Sequence, residues 1–343
     1  MSRMTCARLD RLFQSLRKLF MDLPAGQQYT HSVEEQALAV DPWEINLCQI
    51  SGGPFLGDMQ IASLGDILLY RDCWSQRTLA TGALPKDYFL LGTGVNTVSG
   101  IQWCGSDAND RLLAVAPPNT EIDFIVPAYS PYIAVLLPIS YWNLIFGEQV
   151  AGKSPRPAPS HVHCDSAQGK HFVQRLNQII DRYQVNPAKL DNGLDQLAAQ
   201  TVVLDVLSSI ARRPDMPAIR ASAGHRTLKR ALEYGEALRE KISVPYFAEQ
   251  LEVSQRSLEL SFKQCLGITP RQYLSLQRMH GVHTELLQRA PHSRCVTEVA
   301  TAWGFSELGR FAGEYKRVFG ELPTHTLNRE QQRTLRCFRD LLH

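Results

Sequence analysis

Apolar and polar positions alternate in two different rhythms along this chain. From Trp43 to Leu137 short apolar runs are cut by turn residues. The runs are Met59–Ala62, Ile67–Arg71, Thr78–Gly82, Tyr88–Leu91, Leu112–Ala116, Ile122–Val126 and Ile133–Leu137. Between them stand Ser51-Gly52-Gly53-Pro54, Gly65-Asp66, Pro85-Lys86-Asp87, Ser106-Asp107 and Pro117-Pro118. Many short strands with regular turn signals predict an antiparallel sandwich or barrel. Pro138-Ile139-Ser140 then opens a short helix through Trp142 and Phe146. A proline-bearing loop, 147–160, follows.

After that loop the period becomes helical. Phe172, Leu176, Ile179, Ile180 and Tyr183 share one face, and a second run extends from Leu194 to Ile210. These two helices either cover an edge of the barrel or pair with their counterparts in another chain. At the start of the chain Leu9, Leu12, Phe13, Leu16, Leu19, Phe20 and Leu23 predict an amphipathic helix. Arg17-Lys18 interrupts it, so it does not read as a signal peptide. The 24 uncharged residues between Asp123 and Glu148 are divided by Pro127, Pro131 and Pro138, which rejects a membrane span.

The last third contains a repeat. Phe247, Ala248, Leu251, Val253 and Ser254 recur 52 positions later as Val299, Ala300, Trp303, Phe305 and Ser306. Leu258, Phe262, Gly267 and Pro270 recur 53 later as Phe311, Tyr315, Gly320 and Pro323. One inserted residue therefore keeps nine positions in register, the mark of a duplicated unit. In each copy a small residue lets two helices approach, an apolar residue fills the turn, and a serine is placed to cap the next helix. Gly267 suits the helix end, and Thr269-Pro270 the start of another. This is the pattern of a helix-turn-helix, whose second helix can enter a major groove. Pro270 to Arg289 reads as a helix linking the copies, long enough to hold two reading helices about 34 Å apart.

Charge sharpens the picture. The chain has 343 residues and a net charge of +2, which by itself argues against a nucleic-acid partner. Residues 1–224 hold 18 Lys and Arg against 21 Asp and Glu, whereas 225–343 hold 18 against 13. The net is −3 for the first part and +5 for the second, so the basic excess lies on the repeat.

These residues resemble a known family. The stretch 225–330 is similar to the DNA-binding domain of the AraC/XylS transcriptional regulators. The likeness runs through Ala248-x4-Val253-Ser254-x3-Leu258-x3-Phe262-x4-Gly267-x2-Pro270 and through Arg278-Met279-x2-Gly281-x4-Leu286. It continues through Val299-Ala300-x2-Trp303-Gly304-Phe305 and Phe311-x3-Tyr315-Lys316-x3-Gly320-x2-Pro323. It implies two helix-turn-helix units reading adjacent groove segments. The base-facing positions it implies are Arg256, Glu259 and Leu260 in the first copy, and Leu308, Gly309, Ala312 and Gly313 in the second. Gln255 and Lys263 share the outward face of the first copy, and Arg310, Lys316 and Arg317 are phosphate-contact candidates in the second. Leu260 stands where members often carry Arg, and Gly281 where Ala is usual.

The segment Ile50 to Phe55, with Leu64-Gly65-Asp66-Ile67, resembles the N-terminal region of the ethanolamine-utilisation activators. Within the family such a domain often binds a small effector and mediates dimerisation. Candidates for an effector pocket are Tyr70, Arg71, Trp74 and Trp103. An inward Arg would suit a carboxylate or phosphate, and the indoles an apolar wall.

An enzyme of the cupin type is disfavoured. No His occurs between His31 and His161, so the predicted barrel lacks imidazole ligands. His161-Val162-His163-Cys164 reads as an ordinary loop. The eight cysteines show no paired spacing, so neither a disulfide framework nor a zinc site is expected. No Gly-rich phosphate loop or GxSxG elbow occurs.

The expected protein is multidomain. Residues 1–160 form a mainly-β, barrel or cupin-like regulatory domain with flanking helices, 161–220 a helical dimerisation segment and linker, and 225–330 an all-α double helix-turn-helix domain. It is a cytosolic regulator and not an enzyme, and needs no cofactor or metal. Its expected partners are double-stranded promoter DNA and a second copy of itself, with RNA polymerase and a small-molecule effector as further candidates and no membrane. The alternative is an oligomerising or partner-binding regulator without an effector.

Overall fold

The computed structural model describes residues 25–40, 44–95, 100–107, 112–146, 159–211, 219, 221–236, 241–287 and 295–328. The predicted helix at 8–23 and most of the proline loop lie outside the described residues. By its contacts the chain divides into two units. Among the described residues, one is β-rich and comprises those of 15–47 and 56–221, while the other is helical and comprises those of 48–55 and 222–343.

Twelve described strands form two sheets. The strands are β1 (Ala25–Thr30), β2 (Glu44–Gln49), β3 (Gly57–Leu64), β4 (Ile67–Trp74), β5 (Thr78–Ala83) and β6 (Tyr88–Gly94). The others are β7 (Gln102–Trp103), β8 (Ser106–Asp107), β9 (Leu112–Ala116), β10 (Glu121–Val126), β11 (Tyr132–Pro138) and β12 (Ser160–His163). The order is β1-β3-β4-β11-β6-β9-β12 in the larger sheet and β2-β5-β10-β7-β8 in the smaller. Among the described residues the strands form two open sheets and no closed barrel, which corrects the barrel expectation. Each sheet keeps edges of its own, because local alternation encodes strands but not their closure.

Helix α1 (Val33–Ala39) is capped by Ser32, and α2 (Ile139–Phe146) follows β11 directly. Helices α3 (Ser166–Val185) and α4 (Gly193–Ala211) cover the outer face of the larger sheet. Phe172, Leu176, Ile180, Val203 and Leu207 share one core with Leu69, Leu91, Val115 and Val135. The choice left open by the helical spacing is thereby decided for these apolar faces. Burial on both sides explains why β6, β9 and β11 are apolar runs rather than clean alternations.

His161 and Val162 do not form a loop, as their sequence suggested. They belong to β12, which pairs with β9, Val162 standing opposite Leu113. The free edge of β9 supplies the hydrogen bonds that a four-residue strand cannot make alone.

The helical unit holds α5 (Ala223–Glu236), α6 (Val244–Gln250), α7 (Gln255–Leu266), α8 (Pro270–Leu287), α9 (Val296–Ala302) and α10 (Leu308–Phe319). The predicted linking helix is α8, and it serves two cores. Near its start Tyr273 meets Phe262, ring centroids 5.2 Å apart. Further on, Met279, Val282 and Leu286 pack with Val299, Phe311 and Tyr315.

Candidate nucleic-acid interface

The repeat seen in the sequence is a repeat of backbone geometry. In the first copy the Val253 N–H donates to the Ala248 carbonyl at 3.0 Å, and in the second the Phe305 N–H donates to Ala300 at 3.0 Å. Leu251 to Phe247 (3.3 Å) matches Trp303 to Val299 (3.2 Å), and Glu252 to Glu249 matches Gly304 to Thr301, both 2.9 Å. Each turn places one residue in the left-handed region, Glu252 at φ 53° and Gly304 at φ 75°. Each second helix ends on a left-handed glycine, Gly267 at φ 71° and Gly320 at φ 77°. The packing positions Ala248, Leu258 and Phe262, like Ala300, Phe311 and Tyr315, are buried.

The copies differ where the one-residue insertion falls. Ser254 caps α7, its hydroxyl accepting from the Ser257 N–H at 3.1 Å. The expected counterpart, Ser306, does not occupy the cap of α10. Glu307 does, without a side-chain bond, and the helix starts at Leu308. Gln255 and Leu308 are 53 apart, so the extra residue lies in the turn itself and moves the helix start past the serine.

Two arginines that the spacing did not reveal hold the two turns. The Arg230 guanidinium on α5 donates to the Leu251 carbonyl at 2.7 Å. Arg278 on α8 reaches the carbonyls of Trp303 (3.5 Å) and Gly304 (3.4 Å) and lies 4.7 Å from the centre of the Phe305 ring. Leu251 and Trp303 are repeat partners, so the two arginines do equivalent work from the helix before each pair. Partial burial lowers the Arg278 pKa from its usual value. The two arginines are 48 apart rather than 52, which hid them from a fixed-period comparison.

On α7 the candidates Gln255, Arg256, Glu259, Leu260 and Lys263 are all exposed, Leu260 at 54% despite its apolar side chain. Gln255 donates to the Glu259 carboxylate at 2.8 Å, which aligns the two side chains along the helix. Lys263 leans toward the Gly267 carbonyl, 3.5 Å away, at the far end of the helix.

On α10 the exposed positions are Leu308, Gly309, Arg310, Gly313, Lys316 and Arg317. Arg310 is paired with Glu314 at 2.9 Å, which partly offsets its charge and raises its pKa. Gly309 and Gly313, one turn apart, form a bare strip. A β-carbon on either would meet nothing within 4 Å among the described residues. Glycine weakens a helix interior by about 1 kcal/mol relative to alanine, and no packing among the described residues calls for it here.

In the β-rich unit the effector candidates separate. Tyr70 stands opposite Ala134, and Trp74 stacks on Phe124 (6.2 Å) with the edge of Tyr132 5.4 Å away. Trp103 tilts against Phe124 at 6.0 Å. Trp103 and Phe124 also wall an apolar cavity of about 40 Å³ floored by Gly92, Ala114 and Ala134, three register neighbours on adjacent strands. Arg71 points to the other face, as strand alternation requires, and is occupied there. It donates to Gln60 (2.6 Å) and Asn177 (2.8 Å) and forms an ion pair with Asp181 at 2.6 Å.

The same interior holds a buried carboxyl. Asp72, 1% exposed, accepts from the Gln36 amide at 2.7 Å and the Tyr132 hydroxyl at 3.1 Å, and Gln36 in turn accepts from Thr30 at 2.5 Å. Burial raises the Asp72 pKa to about 7, outweighing the hydroxyl that favours the carboxylate. Among the described residues no group of His, Cys, Asp and Glu could hold a metal ion, and no helix is long and apolar enough to cross a membrane.

Comparison with known proteins agrees with the helical geometry. A family model described as a helix-turn-helix domain matches residues 247–329. The "Probable thc operon regulatory protein" of Rhodococcus erythropolis is 43% identical over 98 residues, 28% of this chain and 30% of that protein. The "XylDLEGF operon transcriptional activator 2" of Pseudomonas putida is 34% identical over 129 residues, 37% of this chain and 79% of that protein. A solved transcriptional regulator from Chromobacterium violaceum, with an AraC-type DNA-binding domain, is 30% identical, covering 32% of this chain and 98% of that one at a TM-score of 0.30. The matches span 30% and 40% of the length of the first two curated relatives. A relative matched at 34% identity over most of its own length shares more than a motif with this protein: the chain belongs to the AraC/XylS family of transcriptional regulators.

Proposed function

We propose that this chain is a sequence-specific DNA-binding regulator of transcription, with no enzymatic activity. Its two helix-turn-helix units read adjacent major-groove segments of promoter DNA. The observation that carries this reading is the duplicated turn geometry, whose second helices, α7 and α10, stand on either side of one linking helix in the sequence and each carry exposed positions. The two helices work differently. Arg256 and Glu259 on α7 make polar base contacts, Arg favouring guanine and Glu cytosine. The strip of Gly309 and Gly313 on α10 allows close backbone approach, Leu308 gives an apolar contact, and Lys316 and Arg317 bind phosphates.

The regulator acts as a homodimer. A basic excess of five neutralises few phosphates, so one chain binds modestly, and pairing raises affinity by local concentration. Leu194 and Leu197, 77% and 58% exposed on α4, support a paired surface there. A small effector binds in the β-rich unit. A cavity of about 40 Å³ is far below the roughly 300 Å³ of ordinary ligand pockets, so a ligand there requires the sheets to open.

Selection of bound duplexes from a random pool by the full chain tests the central claim. Enrichment of a motif with two segments about one helical turn apart is expected. Failure to enrich any motif removes the reading.

A further inference from the structure

Residues Cys48–Phe55 follow the start of β2 and precede β3 in the sequence, yet by their contacts they belong to the helical unit. Their polar groups converge on the C-terminal end of α10. The Gln49 side-chain amide donates to the Val318 carbonyl at 2.7 Å, and also to the carbonyls of Gly53 (2.7 Å) and Ser51 (2.9 Å). The Gly53 N–H donates to the same Val318 carbonyl at 3.0 Å. The Gln49 carbonyl lies 3.1 Å from His280 Nε2 on α8. Gln49 itself is 1% exposed, so these bonds are made away from water.

The fit is close as well as polar. A β-carbon on Gly52 would fall 2.8 Å from the Arg317 carbonyl oxygen, and one on Gly320 would fall 2.8–2.9 Å from Pro54. Gly53 adopts φ 124°, a backbone region that favours glycine. The last carbonyls of a helix have no partner within it. In α10 one of them, on Val318, receives two donors from 265 and 269 residues upstream.

We propose that Cys48–Phe55 is a clasp that positions the second recognition helix on DNA. It anchors the end of α10 beside α8 and thereby orients the Gly309–Gly313 strip at the other end. That helix needs such support more than α7 does, because two exposed glycines weaken it and its cap lacks a side-chain bond. The DNA-binding unit is therefore completed by residues far outside the C-terminal third. The clasp residues act through α10 and are positioning residues. The proposal rests on the DNA-binding reading above.

The test uses the full chain with Gln49→Ala, which removes the side-chain donor, and Gly52→Val, whose β-carbon collides with the Arg317 carbonyl. Leu56→Ala, at an exposed position just past the clasp, is the control. Hydrogen exchange at the Gly53 amide is read without DNA, and binding is read on the selected duplex with base changes in each of its two segments. In the wild type the Gly53 amide exchanges slowly, and both clasp variants speed it at least tenfold. Both also lower cognate affinity at least tenfold and lose discrimination in the segment read by α10, while discrimination in the segment read through Arg256 persists. The control matches the wild type in every measurement. Cognate affinity within twofold of wild type in both clasp variants overturns the proposal, as does equal loss of discrimination in both segments or fast exchange at Gly53 in the wild type. A wild-type chain that selects no duplex instead removes the DNA-binding reading, and the positioning role with it.

Discussion

The indole of Trp303 lies on the backbone of Gly281, so closely that a β-carbon there would overlap its outer ring carbons. The indole N–H is fixed by the Glu285 carboxylate at 2.8 Å, one turn further along the same helix. The glycine in the linking helix, unusual for the family pattern, is thus the space the second turn needs. Gly281→Ala improves helix propensity by about 1 kcal/mol yet lowers stability by about 1–3 kcal/mol through overpacking. In a Trp303→Leu background the same change becomes neutral or stabilising. Urea unfolding of the four chains of this double-mutant cycle checks both signs, and a stabilising Gly281→Ala in the wild-type background contradicts the packing account.

Gly309 and Gly313 have the opposite character, since nothing among the described residues fills the space above them. Alanine at either position is expected to stabilise the protein by up to about 1 kcal/mol. The same substitution weakens cognate DNA at least tenfold, because the helix backbone can no longer approach the groove. Melting temperature and affinity, measured side by side, must move in opposite directions. Unchanged affinity would show that the strip does not face DNA.

Arg256 and Lys316 separate reading from holding. Arg256→Ala is expected to lose cognate binding selectively, by about 1–3 kcal/mol, and to relax preference at one base position. Lys316→Ala weakens cognate and random DNA alike and lowers the salt slope by about 1. Titrations at several salt concentrations on both duplexes measure this. Equal losses on both for both variants refute the assignment.

The Asp72 carboxyl makes the stability of the β-rich unit depend on pH. Its ordinary pKa of 3.8 is raised to about 7 by burial, so between these values the folded chain keeps a proton that the unfolded chain has released. Stability is therefore greatest at low pH for this group and falls as pH rises toward 7, by up to ~1.4 kcal/mol per pH unit. Tyr132 stays a donor throughout, since burial pushes its own pKa well upward. Asp72→Asn keeps an acceptor for Gln36 and Tyr132 but cannot titrate. Melting curves from pH 5 to pH 8 should fall more steeply for the wild type than for this variant, and parallel curves would exclude the coupling.

Local pattern alone determined much of this protein. The repeat of Phe247 to Pro270, the small residue before each turn, the glycine ends at Gly267 and Gly320 and the basic excess behind them were legible because each is decided within a few residues. Tertiary structure decided what depends on distant chain. It gave Arg71 to Asp181, made β12 from a His-rich stretch, kept the sheets open and moved the second cap from Ser306 to Glu307. It also placed Gln49 on Val318, 269 positions away, and brought Trp303 onto Gly281. The physical reason is the same in each case. Periodicity and capping follow from hydrogen bonds between near neighbours, whereas a buried carbonyl or an empty glycine face is answered by whichever segment packing delivers to it.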